Sequence, residues 1–199
     1  MRGTTRRTPS GAAVMRQDLT DTIVEAALDE LAEHGYLGLS MDAVARRAGV
    51  GKSALYRRWP GKQEMAVDVV SRLGVPLAEV PDTGSFAEDL RALLDAVLDW
   101  FTDARLGPIF ADLTSVARTN PVLGHALTEH LGNPRRERGR VLLERAVDRG
   151  ELPADTDLEL ALDAIAAPVF WRLHVRREPV TPAYLDQVAD LMVHALTRR

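Results

Sequence analysis

A glycine turn between two short amphipathic segments is the feature that most constrains the fold of this chain. Ser40 is a good N-cap for a first short helix. The tripeptide Gly49-Val50-Gly51 predicts a tight turn, and a second short helix begins at Lys52 and stops before Pro60-Gly61. Two short helices joined in this way are typical of a helix-turn-helix, here spanning residues 40–59.

The second short helix has two different faces. A rotation of about 100° per residue places Leu55 and Trp59 on one face, as anchors, with Tyr56 at the border. The opposite face carries Ser53, Ala54 and Arg57, which are small or polar. Arginine can bind guanine through two hydrogen bonds, alanine can contact a thymine methyl group, and serine can donate to either base or backbone. This face therefore suits the major groove of DNA.

The charges support the same interpretation. The whole chain has a formal net charge of −4, yet residues 43–62 carry six basic side chains and no acidic one. Residues 18–42 carry seven acidic side chains and no basic one. A compact basic block on an acidic chain is expected for a polyanion partner, although a merely solvated surface is the alternative.

The remaining sequence predicts an all-α fold. A first helix is expected from Asp18 to His34, ended by Gly35, and a fourth from Lys62 to Leu73. Residues 74–84 are expected to form a connector, and Ser85 and Glu88 a capping box at the start of a long helix. Further helices are expected to begin near residues 107, 121, 155 and 182, with a break at residues 132–134 and the helix from 155 reaching about residue 177.

Several other classes of protein are excluded by the composition. The chain has no cysteine, which excludes disulfides, thiolate metal sites and thiol nucleophiles. Its longest stretch without Asp, Glu, Lys or Arg is residues 119–128, which is too short for a membrane span. The first 17 residues hold four arginines and no apolar run, which argues against a secretory signal and fits a cytoplasmic location.

Two apparent catalytic or metal motifs also fail. Gly51-Lys52-Ser53 lacks the glycine of a phosphate-binding loop, because Arg46 stands five positions before Gly51. His125 and His130 are five residues apart, whereas two metal ligands on one helix face are usually four apart. We expect no catalytic residues, no metal, no cofactor and no enzyme activity.

The stretch from Leu39 to Lys62 resembles the DNA-binding head of the TetR family of tetracycline-repressor-like regulators. The matching positions of the family pattern are Ala45, Ala48, Gly49, Val50, Leu55, Tyr56, Trp59 and Lys62. Gly51 replaces the family's usual Ser or Thr cap, and Trp59 replaces its usual Phe. The resemblance implies phosphate contacts from Ser40, Lys52, Tyr56 and Lys62, and base-edge positions for Ser53, Ala54 and Arg57. With Trp59 as anchor, these eight residues form the expected DNA-binding set.

The resemblance also implies a domain organisation. We expect a basic flexible tail over residues 1–16, a helix-turn-helix head over residues 17–77, and a C-terminal regulatory and dimerisation domain over residues 78–199. Residues 144–153 and 168–172 resemble one subgroup of TetR-type C-terminal domains.

The C-terminal domain offers candidates for two further sites. Twelve of the 16 residues from Leu160 to Val175 are apolar, so one side of this helix is expected to face its own domain and the other a second copy. The last helix has an apolar stripe that also calls for a partner, and together the two helices resemble the four-helix dimer interface of the family. The interface residues predicted on that stripe are Leu185, Val188, Leu191, Met192 and Leu196. The resemblance implies a small-molecule pocket, for which the large candidates are Trp100, Phe101, Phe110, Phe170, Trp171 and His174; simple core packing is the alternative for each.

The expected function is a homodimeric, ligand-released repressor that binds a palindromic operator in double-stranded DNA. An activator or a ligand-independent regulator of the same fold remains an alternative. A helical enzyme or adaptor whose basic block binds another polyanion is an alternative from a different class.

Overall fold

The computed structural model describes residues 11–73 and 82–197, with side chains from residue 18 onward. No strand occurs in these two ranges, which confirms the all-α expectation. The helices are α1 Gly11–Gly38, α2 Met41–Arg47, α3 Lys52–Tyr56, α4 Lys62–Leu73, α5 Phe86–Thr102, α6 Leu106–Ala117, α7 Pro121–Leu127, α8 Asn133–Asp148, α9 Leu158–Phe170 and α10 Pro182–Thr197. Two π-helical turns, Thr128–Gly132 and Trp171–Val175, follow α7 and α9.

The chain divides into two compact units, residues 1–69 and 70–199. The predicted domain boundary at residue 77 lies within 74–81, outside the described residues, and it stays a prediction. Helix α1 begins at Gly11, so part of the segment expected to be a flexible tail is helical, and residues 1–10 lie outside the described ranges. None of the described helices combines the length and the apolar character that crossing a membrane requires.

The first unit has its core between α1 and the helix-turn-helix. Ile23 and Leu31 on α1 are buried, as the predicted stripe requires. Gly35 interrupts α1 with a φ of +65°, a conformation that residues with a Cβ rarely adopt, and one more turn follows. Gly49 also has a positive φ, of +67°, which is accessible to it because it has no Cβ. This conformation allows the chain to reverse between α2 and α3.

Helix α3 is shorter than predicted. It ends at Tyr56, and a turn continues the hydrogen bonding, with the N–H groups of Arg58 and Trp59 both donating to the carbonyl of Leu55. The side chain of Ser40 caps α2 by accepting the N–H of Ala43 at 3.4 Å, as the sequence predicts.

The core of the second unit joins α5, α8, α9 and α10. Phe86, Leu94 and Leu142 are fully or almost fully buried there. Val169 from α9 and Leu185 from α10 complete the same apolar cluster. This packing positions one face of each helix around the cavity described below.

The predicted capping box at the start of α5 does not form. Ser85 makes no side-chain cap, and the N–H of Phe86 donates instead to Glu151 Oε2 at 2.7 Å. Asp89 Oδ1 accepts the backbone N–H and the hydroxyl of Thr83, both at 2.8 Å, and Arg149 donates to Asp89 Oδ2 at 3.2 Å. Tertiary partners have therefore replaced the local cap.

The predicted break at residues 132–134 is a π turn rather than an interruption. The N–H of Asn133 donates to the carbonyl of Thr128, five residues earlier, and α8 follows directly. Pro134 has no N–H to donate, and its ring would clash with the carbonyl four residues before it in an α-helix. Widening the turn at Thr128–Gly132 avoids that conflict. The helix expected to reach residue 177 likewise ends earlier, at Phe170 followed by a π turn to Val175.

Candidate nucleic-acid interface and ligand cavity

The outward face of α3 is open to solvent. Ser53 and Arg57 are exposed and Ala54 is half-buried, so all three remain available at the surface. Within the described part of the chain, no acidic side chain forms an ion pair with Arg57. Tyr56 is 47% exposed, with its side chain at the border of this face. The structure therefore brings the candidate base-contacting residues together on one short helix.

Trp59 belongs to the support of this helix, not to its exposed face. Its side chain is 5% exposed, and its indole N–H donates to Asp68 Oδ2 at 3.1 Å. Leu55 beside it is fully buried. The anchoring role expected for Trp59 fits this position, whereas a direct DNA contact from its ring does not.

Two of the predicted phosphate contacts already have partners. Lys52 forms an ion pair with Asp42, whose Oδ2 is 2.5 Å from its Nζ, and both side chains are largely exposed. Exposed pairs contribute about 0–1 kcal/mol, so a phosphate can compete with Asp42. Lys62 donates to the carbonyls of Tyr36 and Leu37, both at 3.2 Å, and its ammonium lies 4.8 Å from the Tyr36 ring centroid. Lys62 therefore stabilises the end of α1, and its phosphate contact stays a prediction.

The basic block is divided between structural and exposed cations. Arg47 pairs with Glu33 through two hydrogen bonds of 2.9 and 2.6 Å, and a hydrogen bond from Arg47 is the main reason why the pKa of Glu33 is lowered. Arg58 donates to Thr20 Oγ1 and to the carbonyl of Ala54, each at 3.1 Å. The charge pattern of the sequence does not distinguish these two arginines from Arg57.

The second unit contains a cavity of about 530 Å³, partly open to solvent, between α5, α6, α8 and α9. Trp100, Phe101 and Phe110 form its aromatic end, with the Trp100 and Phe110 ring centroids 4.7 Å apart. Phe170 and His174 pack against Phe101, with their ring centroids 5.9 and 5.1 Å from that of Phe101. Five of the six aromatic candidates thus meet in one cluster.

The outer members of this cluster differ from the prediction. Phe170 and His174 are not among the residues lining the large cavity, although His174 lines a smaller neighbouring pocket. Burial lowers the pKa of His174, because it disfavours the charged imidazolium. Trp171 is also predicted to line the pocket, but it is 57% exposed at the start of the π turn and does not line the cavity.

Arg135 is a cavity residue that the sequence interpretation missed. It lines the cavity with its guanidinium carbon 4.0 Å from the Trp100 ring centroid, and Nη1 donates to the carbonyl of Leu131 at 3.1 Å. A sequence signal was available, because Arg135 precedes Gly139, Leu142 and Ala146 by four, seven and eleven residues and so shares their buried face.

The predicted dimer interface is only partly at the surface. Leu185 and Val188 are 0% and 4% exposed within one protomer, because the inner half of the α10 stripe packs in the core. Their prediction as interface residues is therefore wrong for the protomer surface. Met192 and Leu196 are half-buried, whereas Leu191 is 60% exposed. Leu160 and Trp171, on α9 and its π turn, are also exposed, at 65% and 57%.

Family models match both units. The model described as bacterial regulatory proteins, tetR family, matches residues 23–69. The model described as the tetracyclin repressor-like C-terminal domain matches residues 80–192.

Individual relatives and solved structures agree with the family models. The HTH-type transcriptional regulator YdeS of Bacillus subtilis is 30% identical over 87% of this chain and 85% of its own length. The DNA-binding transcriptional repressor TetR of Mycobacteroides abscessus is 30% identical over 88% of this chain and 92% of its own. The crystal structure of the TetR family transcription regulator SCO0332 has a TM-score of 0.70 at 27% identity, covering 90% and 98% of the two chains. The crystal structure of FadR from Bacillus subtilis in complex with stearoyl-CoA has a TM-score of 0.74 at 19% identity. The match covers 89% of this chain and 99% of FadR, which shows a shared fold.

Proposed function

Because this chain belongs to the TetR family of DNA-binding transcriptional regulators, we propose that it is a repressor that binds a palindromic operator as a homodimer and is released by a small molecule. Its relatives are transcriptional regulators, and two of them are named repressors. Such a regulator carries out no catalytic step and acts in the cytoplasm, where bacterial DNA is found.

The exposed face of α3 is the observation that carries the DNA-binding part of the proposal. Leu55 and Trp59 hold the helix from inside, while Ser53 and Arg57 extend outward and can contact base edges. Tyr56 and Lys52 lie beside them as candidate phosphate contacts. One such short helix covers few base pairs, so specific binding calls for two copies that contact half-sites about 34–36 Å apart.

The exposed apolar residues of α9 and α10 support the dimer. Leu160, Trp171 and Leu191 would each remain in water in an isolated protomer. Burying them against a second copy gains about 25 cal/mol for each Å² of apolar surface. A two-fold arrangement makes the same surface serve both partners and matches the symmetry of a palindrome.

The cavity supports the response to a small molecule. Its volume of about 530 Å³ lies within the range of 300–1,000 Å³ usual for ligand sites. A structural neighbour, FadR from Bacillus subtilis, is described in complex with stearoyl-CoA. A ligand releases DNA if it binds more tightly to a conformation whose heads do not fit the operator, and by linkage DNA then weakens ligand binding by the same factor.

Selection from a random duplex pool tests the proposal directly. We expect the enriched fragments to contain an inverted repeat with half-sites one helical turn apart, bound by two protomers. Affinity should fall steeply with salt, because phosphate contacts release counterions. Enrichment of asymmetric sites bound by one protomer would contradict the homodimer. Transcription in vitro from a promoter carrying the selected site tests whether the protein represses or activates. We expect the protein to lower transcription, and an increase would show that it is an activator.

A further inference from the structure

The wall of the large cavity combines apolar surface with one unusual cation. Trp100, Phe101 and Phe110 form an aromatic end, and Ala96 and Ala166 belong to the rest of the lining. Such a wall suits an apolar body with a ring or a branched hydrocarbon part. Arg135 is placed against this surface, over the ring of Trp100.

Two N–H donors of this pair are buried without a partner in the described part of the chain. Arg135 donates through Nη1 to Leu131, but its Nη2 has no acceptor. The indole Nε1 of Trp100 is buried and has no acceptor either. Buried donors are nearly always paired in native proteins, so two orphaned donors on one cavity wall indicate where an acceptor from outside would bind.

The charge of Arg135 is also uncompensated, unlike that of its neighbour. Arg136 lines the cavity too, but it forms ion pairs with Glu159 and Asp163. Asp95, an acidic lining residue, pairs with Arg91. No ion pair of this kind involves Arg135 among the described residues.

Burial, and the nearby positive charge of Arg138, lower the pKa of Arg135 to about 10. The guanidinium therefore still carries its charge at pH 7. Desolvation and a like charge both raise the free energy of this cation, and a bound anion would relieve both effects.

We propose that the small molecule is an apolar organic anion, whose acidic group accepts hydrogen bonds from Arg135 and Trp100 and whose body fills the aromatic end of the cavity. This assignment refines the proposed ligand response and rests on it. A neutral apolar molecule would leave the charge of Arg135 buried and unpaired. A small inorganic anion would leave the apolar surface of the cavity unfilled.

Two fluorescent probes that share one apolar framework test the assignment. 8-Anilinonaphthalene-1-sulfonate carries an anionic group, and N-phenyl-1-naphthylamine is the same framework without it. We expect the sulfonate to bind more tightly to the native protein. Arg135→Met should weaken sulfonate binding by about ten- to a hundred-fold, because it removes a charge-assisted hydrogen bond, and should leave binding of the neutral probe within a few-fold.

Three further variants control the measurement. Arg118→Met removes an exposed cation at the end of α6, outside the cavity lining, and should leave both affinities unchanged. Arg135→Lys keeps the charge and should recover part of the sulfonate affinity. Ala96→Phe places a ring in the cavity from an exposed position and should weaken both probes. Thermal unfolding of each variant establishes that it is folded before the titration is interpreted.

The outcomes separate this assignment from the proposed function. Equal affinity of Arg135→Met and the native protein for the sulfonate overturns the assignment, whatever happens to DNA. Full sulfonate affinity in Ala96→Phe places the probe outside the cavity and also overturns it. If binding depends on Arg135 but a series of such anions never changes operator affinity, the anion site stands and the ligand-released repressor is refuted instead.

Discussion

Two adjacent arginines at the end of α3 are expected to have opposite roles, and alanine substitutions can separate them. Arg57 is exposed and makes no described ion pair, so Arg57→Ala should change the free energy of unfolding by less than about 0.5 kcal/mol. On the selected operator it should cost about 1–3 kcal/mol in each half-site, since a guanidinium that binds one base is lost.

Arg58→Ala should show the reverse pattern. Its guanidinium donates to Thr20 and to the carbonyl of Ala54 in partly buried surroundings, and these bonds tie the end of α3 to α1. Losing them should lower the free energy of unfolding by about 1–3 kcal/mol, because hydrogen bonds from charged groups are among the stronger ones. For a chain of this size, each kcal/mol lowers Tm by about 2–4 °C.

Fluorescence anisotropy on the operator and on a scrambled duplex, together with thermal unfolding, measures both effects. Arg57→Ala should lose affinity for the operator while it keeps its affinity for the scrambled duplex. An equal loss on both duplexes would show that Arg57 contacts only phosphates. A fall in Tm for Arg57→Ala without one for Arg58→Ala would refute the division of roles.

Three other substitutions test separate parts of the molecule. Leu191→Asp should dissociate the dimer in sedimentation velocity, because it would bury an unpaired charge between protomers. The control Val122→Asp, at a similarly exposed position on α7, should leave the dimer intact. A dimer that survives Leu191→Asp would exclude this surface as the dimer interface. His174→Phe should reduce the loss of stability in mild acid. Burial lowers the folded pKa of His174, so as the pH falls below about 6.5 the unfolded chain takes up the proton first and the free energy of unfolding falls; an identical dependence in this range in the variant would contradict the reasoning. Asp89→Asn should lower the free energy of unfolding by about 1–3 kcal/mol at pH 7 in urea titrations. Burial opposes ionisation of Asp89, but the hydrogen bonds from Thr83 and Arg149 outweigh it and lower its pKa. The difference from the native protein should therefore begin to shrink as the pH falls below about 4 and be lost once the pH passes the lowered folded pKa, and a difference that stayed constant there would point to lost packing.

The helix-turn-helix could be predicted from the sequence because its determinants are local. Ser40 caps α2, Gly49 adopts the positive φ of the turn, and Leu55 and Trp59 are buried at the spacing of one helical turn. Each of these depends on neighbours within a few positions. The roles of Arg58 and Lys62 depend on Thr20 and on the end of α1, which are distant in the sequence, so their hydrogen bonds could not be foreseen.

The second unit was less predictable for the same reason. Ser85 and Glu88 have the spacing of a capping box, but Glu151 reaches the first N–H of α5 from 65 residues away. The stripe on α10 predicts contact with a second copy, although half of it packs within the protomer as Leu185 and Val188. An apolar stripe shows that a helix face is covered, and only the packing shows by what.

The wide turn at Thr128–Gly132 holds one residue more than a regular helical turn, and this surplus preserves the phase of α8 relative to the cavity. Removing one residue from this turn should restore a regular α-helix and leave Arg135 on the cavity wall. Adding one residue to the regular helix between this turn and Arg135 should instead rotate Arg135 by about 100° away from the cavity. Changes of length at the wide turn are therefore expected to be tolerated, whereas the same changes a few residues later are not.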